Sequence, residues 1–168
     1  MPASEISEQI SLAGTEASGT GNMKLMLNGA VTMGTFDGAN VEICEQVGRD
    51  NIFIFGMDAR EVDVMKANGY APEGYYTGNP VISGAINRMY SGINGAKFDE
   101  VANSLRFTDQ YMALADFDSY REAQKKASEA YKDILRWNEM SLMNIAGAGV
   151  FSADRAVLDY ARTIWNLI

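Results

Sequence analysis

The feature that most constrains the fold is a glycine-rich segment placed directly before a short apolar run. Residues 19–24 read GTGNMK, and the run continues to Leu27 before Asn28 and Gly29 end it. This order predicts a loop leading into a helix over about Gly21–Asn28. The first amides of a helix have no intrahelical acceptor and carry partial positive charge, and glycine lets an anion approach the backbone closely. The segment therefore favours binding of a phosphate or a carboxylate.

A lysine lies one turn into this predicted helix. Helical side chains lean toward the N-terminus, so the amine of Lys24 can reach back over the anion site. Glycine-rich loops before helices are also common connections in α/β proteins, and a first-turn lysine is usually a solvated side chain. Nucleotide motifs do not match, because Thr20-Gly21 stands where a P-loop needs Lys-Ser/Thr and Lys24 replaces the third glycine of a dinucleotide motif.

Strands alternate with helices around this loop. Residues 4–12 fit either a short strand or an extended entry to the loop. Further on, we predict a strand over 30–33 that Gly34 stops, a helix ending at about Val47–Gly48 and capped by Asp37 or Asn40, a strand over 51–55, and a helix from the cap Asp58 to Ala67. This alternation predicts an α/β fold with a parallel sheet that binds ligands at the carboxyl ends of its strands.

The remainder is predicted to be mainly helical. Residues 70–97 are rich in glycine, proline and tyrosine, which indicates an irregular connection with one helix near 81–90. Its tyrosines fit a sugar platform, but tyrosines more often pack a loop against its domain. Amphipathic helices follow over 98–105, 118–136, 137–146 and 152–167, the last with Ser152 as its cap.

Composition excludes several classes of function. The net charge of −8 argues against nucleic acid, and the absence of histidine excludes His-based metal sites and Ser-His or Cys-His catalysis, so we assign no metal ligand. The single cysteine, Cys44, excludes an internal disulfide framework and fits a reducing cytoplasm. The start of the chain lacks the features of a signal peptide, and no apolar run approaches the roughly 20 residues that span a bilayer.

Seven stretches of the chain form a distinctive set in fixed order: Ser7–Ser11, Gly14–Lys24, Leu27–Ala30, Gly34–Glu42, Asn51–Gly56, Ala115–Tyr120 and Asn144–Trp165. Together they resemble the pyridoxal-phosphate segment of the α-glucan phosphorylases, the family of glycogen, starch and maltodextrin enzymes. Family members are several times longer, so the resemblance implies a C-terminal fragment. Its fold would be a partial doubly wound parallel sheet, the second half of the C-terminal domain of a two-domain glycosyltransferase-type phosphorylase, followed by a helical region. The expected division is 1–69 (α/β, cofactor-binding), 70–97 (irregular connection) and 98–168 (helical).

The resemblance also implies residue roles. Lys24 would carry pyridoxal 5'-phosphate covalently, and the cofactor's phosphate would act as acid and base toward orthophosphate. The neighbouring segment would contribute two sets of contacts, to the cofactor and substrate phosphates from Gly19, Thr20 and Gly21, and to the glucosyl hydroxyls from Glu16, Ala17, Ser18 and Gly19.

The function implied for the full-length parent is cytoplasmic phosphorolysis of α-1,4-glucan by orthophosphate, giving glucose 1-phosphate. The isolated chain is expected to be inactive and to bind the cofactor weakly, because other parts of the family's enzymes supply further charged groups. It is also expected to self-associate through an exposed sheet edge and an uncovered apolar stripe on the last helix. The alternatives are a stand-alone module that binds anions or sugar phosphates, and a structural interaction fragment.

Overall fold

The computed structural model describes residues 3–16 and 19–168, which form a mixed α/β structure. Three strands lie in the first third of the chain, and helices dominate the rest. In chain order the elements are β1 (Ile6–Gln9), α1 (Gly21–Leu27), β2 (Val31–Thr35), α2 (Ala39–Val47), β3 (Phe53–Phe55), α3 (Ala59–Ala67), α4 (Pro72–Gly78), α5 (Pro80–Ser91), α6 (Asp99–Asn103), α7 (Ala113–Lys132), α8 (Ile134–Gly147) and α9 (Ala153–Thr163).

The strands form a parallel sheet in the order β1-β2-β3, which confirms the predicted partial parallel sheet. Ile6 of β1 lies opposite Val31 of β2, and Met33 of β2 lies opposite Phe53 of β3. Every residue of β2 is buried, as expected for a central strand covered on both faces. β1 and β3 are the two edges of the sheet within the described residues.

Helices pack on both faces of the sheet. Successive side chains of a strand point to opposite faces, and the two faces of β3 contact different clusters. Phe55 packs with Met33 and with Ala123 and Ala127 of α7. Ile54 packs with the opposite cluster, to which α1 and α2 contribute Met26, Ile43, Cys44 and Val47. The glycine-rich segment before α1 is thus carried by a helix that is anchored in the core.

Several predicted helix ends are confirmed. Asp58 caps α3 in a capping box with Glu61, Ser152 caps α9, and Gly48 follows the end of α2. The predicted cap of α2 is wrong, because Gly38 occupies the cap position and no side chain bonds to the helix there. Both Asp37 and Asn40 use their side chains in longer-range contacts that are described below.

The segment after α3 is more helical than the sequence predicted. Two helices, α4 and α5, occupy most of residues 70–97, where one helix was expected. Both begin with proline at the first turn, a position that tolerates its missing N–H, and Asn79 caps α5 through the amides of Val81 and Ile82. The division of the chain into three parts remains a prediction.

The boundaries of α7 and α8 also differ from expectation. α7 begins at Ala113, five residues before the predicted start at Asp118, because Asp109 accepts hydrogen bonds from the amides of Ala113 (2.9 Å) and Leu114 (2.8 Å). The break before α8 falls at Asp133 instead of Arg136, since Asp133 caps α8 by accepting from the amide of Arg136.

α9 packs loosely on the rest of the chain. None of its residues is buried, and its predicted apolar stripe is largely uncovered, as expected. Within residues 3–16 and 19–168, every helix is too short or too polar to cross a lipid bilayer.

Candidate functional site

The glycine-rich segment lies where two parallel strands end. Residues 10–20 lead from the end of β1 to α1, and residues 36–38 lead from the end of β2 to α2. Because the carboxyl ends of neighbouring parallel strands lie at the same edge of a sheet, these two connections meet there. The sequence predicted the site at this edge.

The carboxylate of Asp37 holds the first connection in place. Its Oδ2 accepts hydrogen bonds from the backbone amides of Glu16 (2.8 Å) and Thr15 (3.2 Å). The adjacent Gly38 has a φ of +49°, and a Cβ at that position would collide with the side chain of Glu16. Charge-assisted bonds and a glycine-dependent approach therefore fix the backbone of Glu16.

A buried pair of asparagines joins the starts of α1 and α2. Nδ2 of Asn22 donates to Oδ1 of Asn40 at 2.9 Å, and Nδ2 of Asn40 donates to the carbonyl oxygen of Thr35 at 2.9 Å. Asn22 and Asn40 are only 2% and 3% exposed. The first turn of α1 is consequently tied to the end of β2 through side-chain amides.

Gly34 makes room for this network. We expected the strand to stop at Gly34, but β2 runs through it to Thr35. A Cβ on Gly34 would lie 2.5 Å from Nδ2 of Asn40 and 2.6 Å from the carbonyl oxygen of Gln9. Glycine is required here because Asn40 and β1 approach the strand closely, which is a packing role and not a turn role.

The first amides of α1 are open. Thr20 occupies the cap position but makes no side-chain bond to the helix, and within the described residues no acceptor takes the amides of Gly21 and Asn22. Among the described residues, and apart from its chain neighbours and the backbone of its own helix, no atom lies within 4 Å of the place where a Cβ of Gly21 would be. Gly19 is enclosed instead, since its Cβ would lie 3.1 Å from Oδ1 of Asn22 and 3.4 Å from Cβ of Ala39.

Lys24 lies in the same helix, three residues after Gly21. Its side chain is exposed and forms no ion pair or side-chain hydrogen bond within residues 3–16 and 19–168. The amide of Lys24 bonds to the carbonyl oxygen of Thr20 at 3.3 Å, so the lysine belongs to the first turn. An uncommitted amine and open amides thus share one short helix.

The structure brings most of the predicted site residues to one region. Gly19, Thr20, Gly21 and Lys24 lie at the start of α1, and Glu16 lies in the connection held by Asp37. Ala17 and Ser18 lie outside the described residues. Sequence reasoning missed the anchoring roles of Asn22, Asn40 and Asp37. All three stand in the stretches that resemble the phosphorylases, but only the fold shows what they contact.

A cavity of about 520 Å³ adjoins the connection that carries Glu16. Its walls include Leu12, Phe55, Phe117 and Tyr120, and two carboxylates, Glu16 and Asp116, also line it. This cavity could not be predicted from the sequence, because its walls come from segments about 100 residues apart.

Comparison with known proteins identifies the family. The family model described as carbohydrate phosphorylase matches residues 1–167. The chain belongs to the carbohydrate phosphorylase family. Similar phosphorylases include the liver form of glycogen phosphorylase from Bos taurus and the muscle form from Rattus norvegicus, each 47% identical over 171 aligned residues. The human muscle form is 46% identical. Each alignment covers 99% of this chain and 20% of the relative, so the chain spans one fifth of the length of these phosphorylases.

Proposed function

We propose that this chain forms the cofactor-binding part of an enzyme that cleaves α-1,4-glucan with orthophosphate to give glucose 1-phosphate. Membership of the carbohydrate phosphorylase family supports the reaction class, and relatives named glycogen phosphorylase support a glucan substrate. The buried, unpaired Cys44 is compatible with action in the reducing cytoplasm.

The observation that carries the proposal is the pair of amides at the start of α1 that have no acceptor among the described residues, together with the space that these residues leave beside Gly21 and the exposed side chain of Lys24. Pyridoxal 5'-phosphate needs an anion site for its phosphate and a primary amine for covalent attachment. The donor set fits both requirements, because backbone amides at a helix start bind phosphate and a lysine lies one turn away.

In this proposal each residue of the site binds one part of the cofactor or the substrates. Gly19, Thr20 and Gly21 bind the phosphates of the cofactor and of the neighbouring orthophosphate, and Lys24 holds the cofactor. Glu16, together with Ala17, Ser18 and Gly19, binds the glucosyl hydroxyls by accepting hydrogen bonds from them and donating hydrogen bonds to them. When bound, the cofactor supplies a phosphate group that exchanges protons with orthophosphate. The protein contributes placement and charge.

The structure supports this placement through two anchors. Asp37 fixes the backbone of Glu16, and the Asn22–Asn40 pair fixes the turn that carries the open amides. Groups held this way lose little freedom when a ligand binds, which is how an enzyme orients its reactants.

We further propose that the isolated chain binds the cofactor weakly and does not turn over glucan. Its anion site consists of amides and one amine, and charge-assisted bonds contribute about 1.5–3 kcal/mol each, so two or three missing partners weaken binding by orders of magnitude. Borohydride reduction of the chain at low pyridoxal phosphate, followed by peptide mapping, tests this proposal. Stoichiometric, selective labelling of Lys24 would confirm the residue but contradict weak binding.

The sharper test uses a chimera in which this chain replaces the matching fifth of bovine liver glycogen phosphorylase. We expect one cofactor per chain, attached at Lys24, and release of glucose 1-phosphate from glycogen. Lys24→Ala should lose both. Lys66→Ala, at an exposed position in the last turn of α3, is the matched control and should keep both. Stoichiometric cofactor in the Lys24→Ala chimera would refute the assignment.

A further inference from the structure

Asp116 is a buried carboxylate without a positive partner in the described part of the chain. It is 8% exposed, and its Oδ1 accepts a hydrogen bond from the amide of Met57 at 2.9 Å. Within residues 3–16 and 19–168, no group donates to Oδ2 and no ion pair includes Asp116. Gly56 lies so close that a Cβ there would be 2.8 Å from Oδ2.

The surroundings of Asp116 make this charge costly. Burial raises the pKa of its carboxyl, the hydrogen bond from Met57 opposes the rise, and the negative charges of Asp109 and Glu61 add to it. An unpaired buried charge is unfavourable, and proteins normally pair such groups. A cation beside Asp116 would therefore stabilise the folded protein by offsetting the cost of this buried negative charge.

The cavity beside Asp116 has the volume and the lining to receive a cation. It has a volume of about 520 Å³, and Asp116 lines it together with Leu12, Phe55, Phe117 and Tyr120. Aromatic faces favour a planar cation, and a guanidinium stacks on such faces while pairing with a carboxylate. An ammonium group matches these walls less well, because it is a compact, strongly hydrated charge.

We propose that this cavity receives an arginine side chain carried by a segment of the phosphorylase polypeptide outside these 168 residues, and that this arginine pairs with Asp116. The inference rests on the proposed function in one respect, namely that the chain works as part of a longer phosphorylase. The relatives provide the polypeptide for it, since the chain spans only 20% of their length. The pair would join the carboxyl edge of the sheet, beside Glu16, to the rest of the enzyme.

The test compares one substitution in two contexts. Asp116→Asn keeps an acceptor for Met57 and removes the charge. In the isolated chain it should leave the melting temperature unchanged or raise it, because a buried charge is relieved. In the chimera with bovine liver glycogen phosphorylase it should lower the melting temperature by about 2 °C or more, because a buried cation loses its partner. Asp63→Asn, on the exposed surface of α3, is the control and should be neutral in both.

A change of the same sign in both contexts would overturn the proposal. The readout is melting, not phosphorolysis, so an inactive chimera that shows the reversal would support the pairing and count against the proposed function. A second measurement needs no chimera. Benzamidinium, an aromatic ring bearing a planar cation, should shift NMR signals of residues 113–120 in the isolated chain, and Asp116→Asn should weaken its binding about tenfold. Equal affinity in the two proteins would contradict the proposed cation site.

Discussion

The side-chain amide of Asn22 donates a hydrogen bond to the side-chain oxygen of Asn40, 2.9 Å away, in a buried position between the starts of α1 and α2. Asn40 also donates a hydrogen bond to the carbonyl oxygen of Thr35, which links the pair to the end of β2. The start of α1 is therefore held by two buried side chains, Asn22 and Asn40.

Asn40→Ala should lower the free energy of unfolding by about 1–3 kcal/mol, because it leaves the buried side-chain amide of Asn22 without an acceptor and removes one of the two hydrogen bonds to the carbonyl oxygen of Thr35. Urea unfolding followed by circular dichroism measures the change. Asn138→Ala, at an exposed position of α8, should stay within about 0.5 kcal/mol of the parent. The double variant Asn22→Ala, Asn40→Ala should lose less free energy of unfolding than the two single variants lose together, since it leaves neither side-chain amide buried without its partner. Strict additivity would argue against the pair.

Gly34→Ala should be destabilising although alanine suits most positions better than glycine. Its Cβ would lie 2.6 Å from a backbone oxygen of β1 and 2.5 Å from Nδ2 of Asn40, and overpacking of this kind costs about 1–3 kcal/mol. The control is Gly84→Ala in the interior of α5, where the added carbon would meet no atom of the described residues within 4 Å apart from its chain neighbours and the backbone of its own helix. That change should stabilise by roughly 0.5–1 kcal/mol through helix propensity alone. If urea unfolding gave the same change in the free energy of unfolding for both substitutions, then β1 and Asn40 would move aside for the added carbon at little cost.

Local sequence patterns predicted the positions of helices and strands better than they predicted which residues each side chain contacts. Alternating strands and helices were enough to predict the parallel sheet, and the caps Asp58 and Ser152 were confirmed because they act within three residues of themselves. Asp37 and Asn40 look like caps by the same rule, but their side chains form hydrogen bonds with residues up to 31 positions away. Nothing in the local pattern distinguishes the two uses.

The same distinction explains the helix boundaries and the cavity. Asp118 resembles a helix start, yet α7 begins at Ala113, where Asp109 accepts hydrogen bonds from the first amides of the helix. Tyr70, 39 positions earlier, donates a hydrogen bond to the same carboxylate, and no local pattern records that contact. The carboxylate of Asp116 lies beside Leu12 only because α7 crosses the sheet, so no single stretch of sequence records their proximity. The proposed phosphate site, Gly19, Thr20 and Gly21, could be suggested from sequence because the loop and the helix that carry these residues are adjacent along the chain.

Asp37→Ala should separate sugar binding from cofactor binding in the chimera. The change removes two hydrogen bonds to the backbone of Thr15 and Glu16, whereas Lys24 and the open amides of α1 depend on other contacts. We expect kcat/KM for glycogen to fall about tenfold or more with cofactor stoichiometry unchanged. Asp37→Asn keeps one acceptor oxygen and should show a smaller loss. Parallel loss of cofactor and activity would mean that Asp37 supports the whole site and not Glu16 in particular.

The buried charge of Asp116 should make the free energy of unfolding of the isolated chain depend on pH. Burial raises the pKa of this carboxyl above its ordinary 3.8, so the folded state binds the proton more tightly than the unfolded state. Its destabilising effect is therefore absent well below pH 3.8 and develops as the pH rises through the raised value. The advantage of Asp116→Asn in urea unfolding should grow over that range and then level off. A difference that stays flat, or that shrinks with rising pH, would rule out a charge penalty at this position.

The uncovered face of α9 should cause the isolated chain to self-associate. Ile164 and Trp165 at its end are 62% and 54% exposed, and the helix contributes no residue to the core. Large exposed apolar patches favour association, so sedimentation velocity should detect dimers or larger species at micromolar concentration. Ile164→Glu should shift the distribution toward monomer more strongly than Leu142→Glu, which alters an equally exposed apolar position (65%) on α8. Equal shifts would implicate apolar exposure in general instead of α9, and a monodisperse parent chain would contradict the prediction outright.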